Sequence, residues 1–213
     1  MEHSTSFQFK ALYHQLGIIN EDTEEVWFTL HGYGQLSKYF IRKFRSIAND
    51  KRVIVAPGGL SRFYLEGFDG RVGATWMTSE ERLLDIENYI HYLQSVYEEV
   101  KRKLGDKPVK VHFLGFSQGA ATVVRWLEKH EDPFERLILW AGSFPHDMDF
   151  PVIGHKLADK RVVMVRGDQD PFVTEEVKQR QLEVINKLGL PIKHVSFEGV
   201  HDIDTPTLEN LTS

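Results

Sequence analysis

Three kinds of side chain that together activate an oxygen nucleophile stand at the ends of apolar runs in this chain. Ser117 lies in Gly115-Phe116-Ser117-Gln118-Gly119, an acid lies in Gly167-Asp168-Gln169-Asp170-Pro171, and His201 closes Gly199-Val200-His201. A serine hydroxyl is a poor nucleophile until a base takes its proton, and a neutral imidazole can do so near neutral pH. A carboxylate behind the imidazole fixes its tautomer and stabilises the imidazolium that forms. A bare Gly-x-Ser-x-Gly arises by chance in roughly one 200-residue chain in fifteen. Its context here is more selective, because Val111 to Leu114 reads as a strand running into the motif and Ala120 to Glu128 as the helix leaving it. That layout holds a nucleophile on a strained, exposed turn, with Gly115 and Gly119 where a Cβ would collide.

The elements that must position these residues alternate along the chain. Buried strand-like runs are Val26 to Leu30, Val53 to Ala56, Lys110 to Leu114, Leu137 to Trp140, Val162 to Val165 and Lys193 to Phe197. Between them fall helical spacings: Leu36, Phe40, Ile41, Phe44 and Ile47; then Leu83, Ile86, Ile90, Leu93, Val96 and Val100, closed by Gly105; then Thr174 to Leu188, closed by Gly189 and Pro191. Thr78 and Glu81 have the spacing of a capping box for the second of these helices. Phe7, Phe9, Ala11 and Tyr13 alternate with polar residues and predict an antiparallel edge strand. Strands that read as apolar runs require helices on both faces of a mostly parallel sheet. No repeat or linker divides residues 1–213, so a single α/β domain of about seven strands is expected, with 57–79 as a partial cover loop over the site.

Ligands bind such sheets at the carboxyl ends of the strands. The residues after the strands are His31-Gly32-Tyr33-Gly34, Ser117, the Asp168/Asp170 loop and His201, giving the chain order Ser, Asp, His. From position alone either aspartate qualifies as the acid, and Asp170 before Pro171 also has the form of a helix cap.

The segments Leu30 to Gly34, Gly115 to Gly119, Gly167 to Pro171 and Gly199 to His201 resemble the α/β-hydrolase family of small carboxylesterases, lysophospholipases and acyl-protein thioesterases, over roughly Val26 to His201. The resemblance implies an α/β-hydrolase fold and cleavage of carboxylic esters, thioesters or lysophospholipids through an acyl-enzyme. It implies Ser117 as nucleophile, Asp170 as acid, His201 as base, and the backbone N–H groups of Tyr33 and Gln118 as the oxyanion hole. The chain departs from the family pattern at Gln35, where many members carry an acid, and at Ala120, where many carry glycine. His31, beside the oxyanion loop, is expected to brace it by hydrogen bonds. His146, Asp147 and Asp149 are expected in a solvated loop.

Substrate choice must come from the irregular segments. Trp76, Met77, Phe144 and Phe172 are expected to line an apolar acyl or aryl pocket, and Arg62 and Arg71 stand in the cover loop, where an anionic leaving group is one use for them. Gly32-Tyr33-Gly34 after a strand also resembles the start of a dinucleotide site, but Ala56-Pro57 stands where its ribose-binding acid belongs. A scaffold that only binds, or does non-hydrolytic chemistry, is the remaining alternative.

Composition narrows the partners. Among 213 residues there is no cysteine, which removes disulfides and thiolate metal sites, and no histidine spacing suggests a metal or other cofactor. A net charge of −5 gives no basic footprint for nucleic acid. The first residues lack a basic segment followed by an apolar one, and no apolar run approaches a bilayer span, so a cytoplasmic protein acting on a small molecule, alone or as a homodimer, is expected.

Overall fold

The computed structural model describes residue 1 and residues 3–213. Its sheet is built from β1 (Tyr13–Leu16), β2 (Glu25–Leu30), β3 (Arg52–Pro57), β6 (Lys110–Phe116), β7 (Arg136–Trp140), β8 (Arg161–Gly167) and β9 (Lys193–Phe197). β4 (Ser61–Tyr64) and β5 (Val72–Thr75) form a separate antiparallel hairpin. The seven strands run in the order β1-β3-β2-β6-β7-β8-β9, with β1 antiparallel and every other pair parallel.

Alternation along the buried strands divides the core in two. Phe28, Phe113, Leu137 and Leu139 face one cluster, while Trp27, Leu114, Ile138, Trp140 and Val163 face the other. On the first face pack α2 (Arg82–Leu104), α3 (Gln118–Lys129) and α4 (Phe150–Leu157), through residues such as Leu93, Trp126 and Ile153. On the second lie α1 (Ser37–Phe40), a 3₁₀ turn (Ile41–Phe44) and α6 (Thr205–Thr212), through Phe40, Phe44 and Leu208. Full burial of each such side chain is worth about 1.5–3 kcal/mol, so the central strands that present the site are its most firmly held part.

Several expectations change in the structure. The antiparallel edge strand is present, but it starts at Tyr13; Phe7 and Phe9 lie before it and are exposed. The spacing from Leu36 to Ile47 belongs to one α-turn and one 3₁₀ turn rather than a regular helix. No capping box forms at α2: Glu81 has φ 45° and makes no side-chain cap, while Thr78 Oγ1 donates to Glu80 O. Leu83 at the start of α2 is exposed rather than on the buried face. β9 is half-exposed because it is an edge strand, and α5 (Glu175–Leu188) beside it has no buried residue. Two helices had no expectation. Asp149 caps α4 by accepting from Val152 N at 3.0 Å, and Asp204 caps α6 by accepting from Thr207 N at 2.9 Å.

Candidate active site

Ser117 sits between β6 and α3 with φ 53° and ψ −117°, a conformation that non-glycine residues hold only when their surroundings enforce it. The enforcement is visible on both sides. A Cβ on Gly115 would lie 2.3 Å from Gly119 O, and one on Gly119 would lie 2.3 Å from Leu30 O. The turn is pinned to β7 by Ser117 N donating to Trp140 O at 2.8 Å. Among the described residues the Ser117 hydroxyl makes no hydrogen bond, and it stands at the carboxyl edge of the sheet with the other loops of interest.

At the ends of β8 and β9, His201 Nδ1 lies 2.7 Å from Asp170 Oδ2; the Asp170 side chain is fully buried and that of His201 is 19% exposed. Asp170 Oδ1 accepts from Phe172 N at 2.9 Å, so both carboxylate oxygens are used. No helix starts at Pro171; the next begins at Glu175, capped by Thr174. Asp168 points elsewhere, accepting from Gly199 N at 3.0 Å, and so joins the two loops instead of facing His201. The imidazole of His201 is held between rings, with Phe116 at 5.0 Å and Phe172 at 4.7 Å.

The loop from His31 to Gln35 approaches Ser117 closely, since a Cβ on Gly32 would lie 3.1 Å from Ser117 Cβ. Neither Tyr33 N nor Gln118 N has a hydrogen-bond partner among the described residues, whereas their neighbours do. Gly34 N donates to Ala74 O, Ala74 N donates to Gln35 O, and the Gln35 side chain accepts from Gly32 N at 2.9 Å. Glutamine at position 35 thus holds the loop. His31 is buried, with Nδ1 2.7 Å from Gly32 O and Nε2 accepting from Gly59 N at 2.9 Å. Both contacts together require the neutral ring with its proton on Nδ1. Burial lowers its pKa to about 4 against the opposing bond to Gly32.

The segment from 57 to 79 is therefore a brace as much as a cover. Trp76 is 1% exposed, packs against Tyr89 and His31, and donates its indole N–H to His31 O at 2.8 Å. It stands in the core beneath the oxyanion loop, which corrects its placement on a pocket wall. Phe144 is likewise buried in the core, and Met77 is half-buried against it. Of the four expected pocket residues, Phe172 alone is substantially exposed beside His201. The Gln118 side chain, with no role foreseen from sequence, donates to Thr75 Oγ1 and Met77 O, both at 2.9 Å, and accepts from Trp76 N at 3.2 Å. Arg62 and Arg71 are exposed on the hairpin.

The expected solvated loop is also ordered by contacts. Burial alone would raise the Asp147 carboxyl, but hydrogen bonds from Arg82 and Arg125 overcome this and hold it at about 2. This ion-pair cluster ties the starts of α2 and α4 to α3.

The phospholipase/carboxylesterase family matches residues 20–213. The chain belongs to this family. No curated protein sequence matches it. Similar solved structures include esterase PE8, at 21% identity over 96% of this chain and 97% of that one, with a TM-score of 0.70. Acyl-protein thioesterase 2 of Zea mays is 14% identical over 95% and 96%, with a TM-score of 0.72. A phospholipase/carboxylesterase of Dyadobacter fermentans is 16% identical over 97% of both chains, with a TM-score of 0.65. At these identities the structures establish the α/β-hydrolase fold, and family membership supports ester hydrolysis. Among the described residues no helix is long and apolar enough to cross a membrane.

Proposed function

We propose that the chain is a serine hydrolase that cleaves carboxylic esters or thioesters of small molecules through an acyl-enzyme. The observation that carries this reading is the buried Asp170 carboxylate bonded to His201 Nδ1 at 2.7 Å, on the same sheet edge as the strained Ser117 turn. With Nδ1 engaged, Nε2 of His201 is the nitrogen left to accept the Ser117 proton.

Ser117 Oγ attacks the carbonyl carbon as His201 takes its proton, and the carbonyl oxygen becomes an oxyanion. The unpartnered N–H groups of Tyr33 and Gln118 are the donors for that charge, each worth about 3 kcal/mol when preorganised. The intermediate then collapses, breaking the bond to the alcohol or thiol, which leaves with the proton from His201. A water molecule, losing a proton to His201, attacks the acyl carbon in turn; the carboxylic acid departs and Ser117 recovers its hydrogen. Ser117→Ala should lower kcat on p-nitrophenyl acetate by about 10⁴ to 10⁶ with the circular dichroism spectrum unchanged. A folded Ser117→Ala protein with ordinary turnover would remove the nucleophile from this scheme.

A further inference from the structure

On the α5 side of the site the sheet is not closely covered. Between α5 and the strands β8 and β9 lies a cavity of about 470 Å³. Its floor includes Met164 and Val195, and its roof includes Val177, Leu182 and Ile185 of α5, a helix with no buried residue. One end of the cavity is lined by Gly142 and Phe172. Gly142 abuts the nucleophile turn, since a Cβ there would lie 2.5 Å from Ser117 O, and Phe172 stacks edge-on to His201. Ala141, beside Gly142, has φ 48°, so the chain is held in an unfavourable turn where this mouth opens.

We propose that this slot receives an unbranched apolar acyl chain of the ester, and that Met164 and Leu182 limit the chain length it accepts. The assignment rests on the serine-hydrolase reading above and gives it a substrate class. A gap between a helix and a sheet is narrow in one direction, which suits a linear chain better than a fused or branched group. Arg166, Lys178 and Glu175 also line the cavity, but the charges are of both signs and offer no single-signed site for an ionic group. The acyl group, moreover, is the part that stays on Ser117 between the two halves of the reaction. A slot adjoining the turn retains it, whereas the alcohol or thiol must leave toward solvent.

The test is the ratio of kcat/KM on p-nitrophenyl octanoate to that on p-nitrophenyl acetate. Leu182→Trp and Met164→Trp each add bulk to the slot and should lower the ratio about tenfold or more; Ile185→Ala should shift preference toward longer chains. Leu182 is 48% exposed, so its variant is expected to fold even if the Met164 variant does not. Leu83→Trp, on the exposed start of α2, serves as control and should leave the ratio unchanged. An unchanged ratio in Leu182→Trp, or an equal fall in Leu83→Trp, would overturn the assignment while acetate turnover kept the hydrolase reading standing. Wild-type protein that cleaves neither ester would instead remove the hydrolase reading and the slot with it.

Discussion

The two flanks of the candidate site are held in opposite ways. On the hairpin side, the loop carrying Tyr33 is tied through His31 to Gly59 and Trp76, through Gly34 and Gln35 to Ala74, and across the turn by the Gln118 amide. On the α5 side, a helix without a buried residue lies over a half-exposed edge strand and leaves a cavity. Groups that must meet a developing charge gain from being fixed before the reaction, because rearrangement then costs nothing at the transition state. A surface that must admit chains of different length gains from loose packing. The difference assigns transition-state geometry to the braced flank and substrate choice to the loose one.

Acid should reverse the order of strength. Burial lowers His31, His112 and His130 to about 4 from an ordinary 6.5, and all three lie in or against the half of the sheet formed by β2, β3 and β6. Between those values the unfolded chain binds more protons than the folded one, so stability falls as pH drops from 6.5 toward 4 and levels off below. Each imidazole contributes on the order of 3 kcal/mol to that loss, and together they rival the net stability of a typical domain. Thermal melting across this range should show a steep acid decline, and hydrogen exchange should place the early opening in the braced half. A melting temperature flat from pH 7 to 4 would contradict it.

Trp76→Ala comes next. Removing a fully buried indole typically costs 3–5 kcal/mol, and here it also frees His31 O. Activity should fall alike on acetyl and octanoyl esters together with the melting temperature. A change in chain-length preference at wild-type stability would return Trp76 to the pocket. Gln118→Ala keeps the backbone N–H but releases the 75–77 segment, so kcat should fall roughly 10–100-fold with KM little changed, since a small displacement of such a donor is costly. Leu182→Ala, on the loose flank, should alter the melting free energy by less than about 0.5 kcal/mol, as equilibrium urea unfolding would measure; a loss of several times that would mean α5 is packed after all.

Much of this was legible in the sequence because strong periodicity and strong chemistry coincide. The buried runs from Val26 to Phe197 became strands, and Ser117, Asp170 and His201 fall at the ends of three of them. The choice of Asp170 over Asp168 came from family resemblance, since spacing alone cannot say which carboxylate turns inward; in the structure Asp168 is spent on Gly199 N. The brace was hidden for a related reason. The aromatic content of 57–79 signals burial of something, but not whether Trp76 faces a ligand or the core, and the exposed Ser61–Tyr64 strand lacks an alternating apolar face. The two unforeseen helices each begin with Asp and an early Pro, a cap signature present in the sequence, but each is only eight residues long and too short to show a period.

The central claim, that one serine on the strained turn carries the acyl group, is tested most directly by reaction of active protein with a fluorophosphonate, followed by intact-mass measurement and peptide mapping. A single adduct on Ser117, formed in step with loss of esterase activity, is the predicted result. An adduct on another serine, or full activity remaining after Ser117 is completely modified, would contradict it.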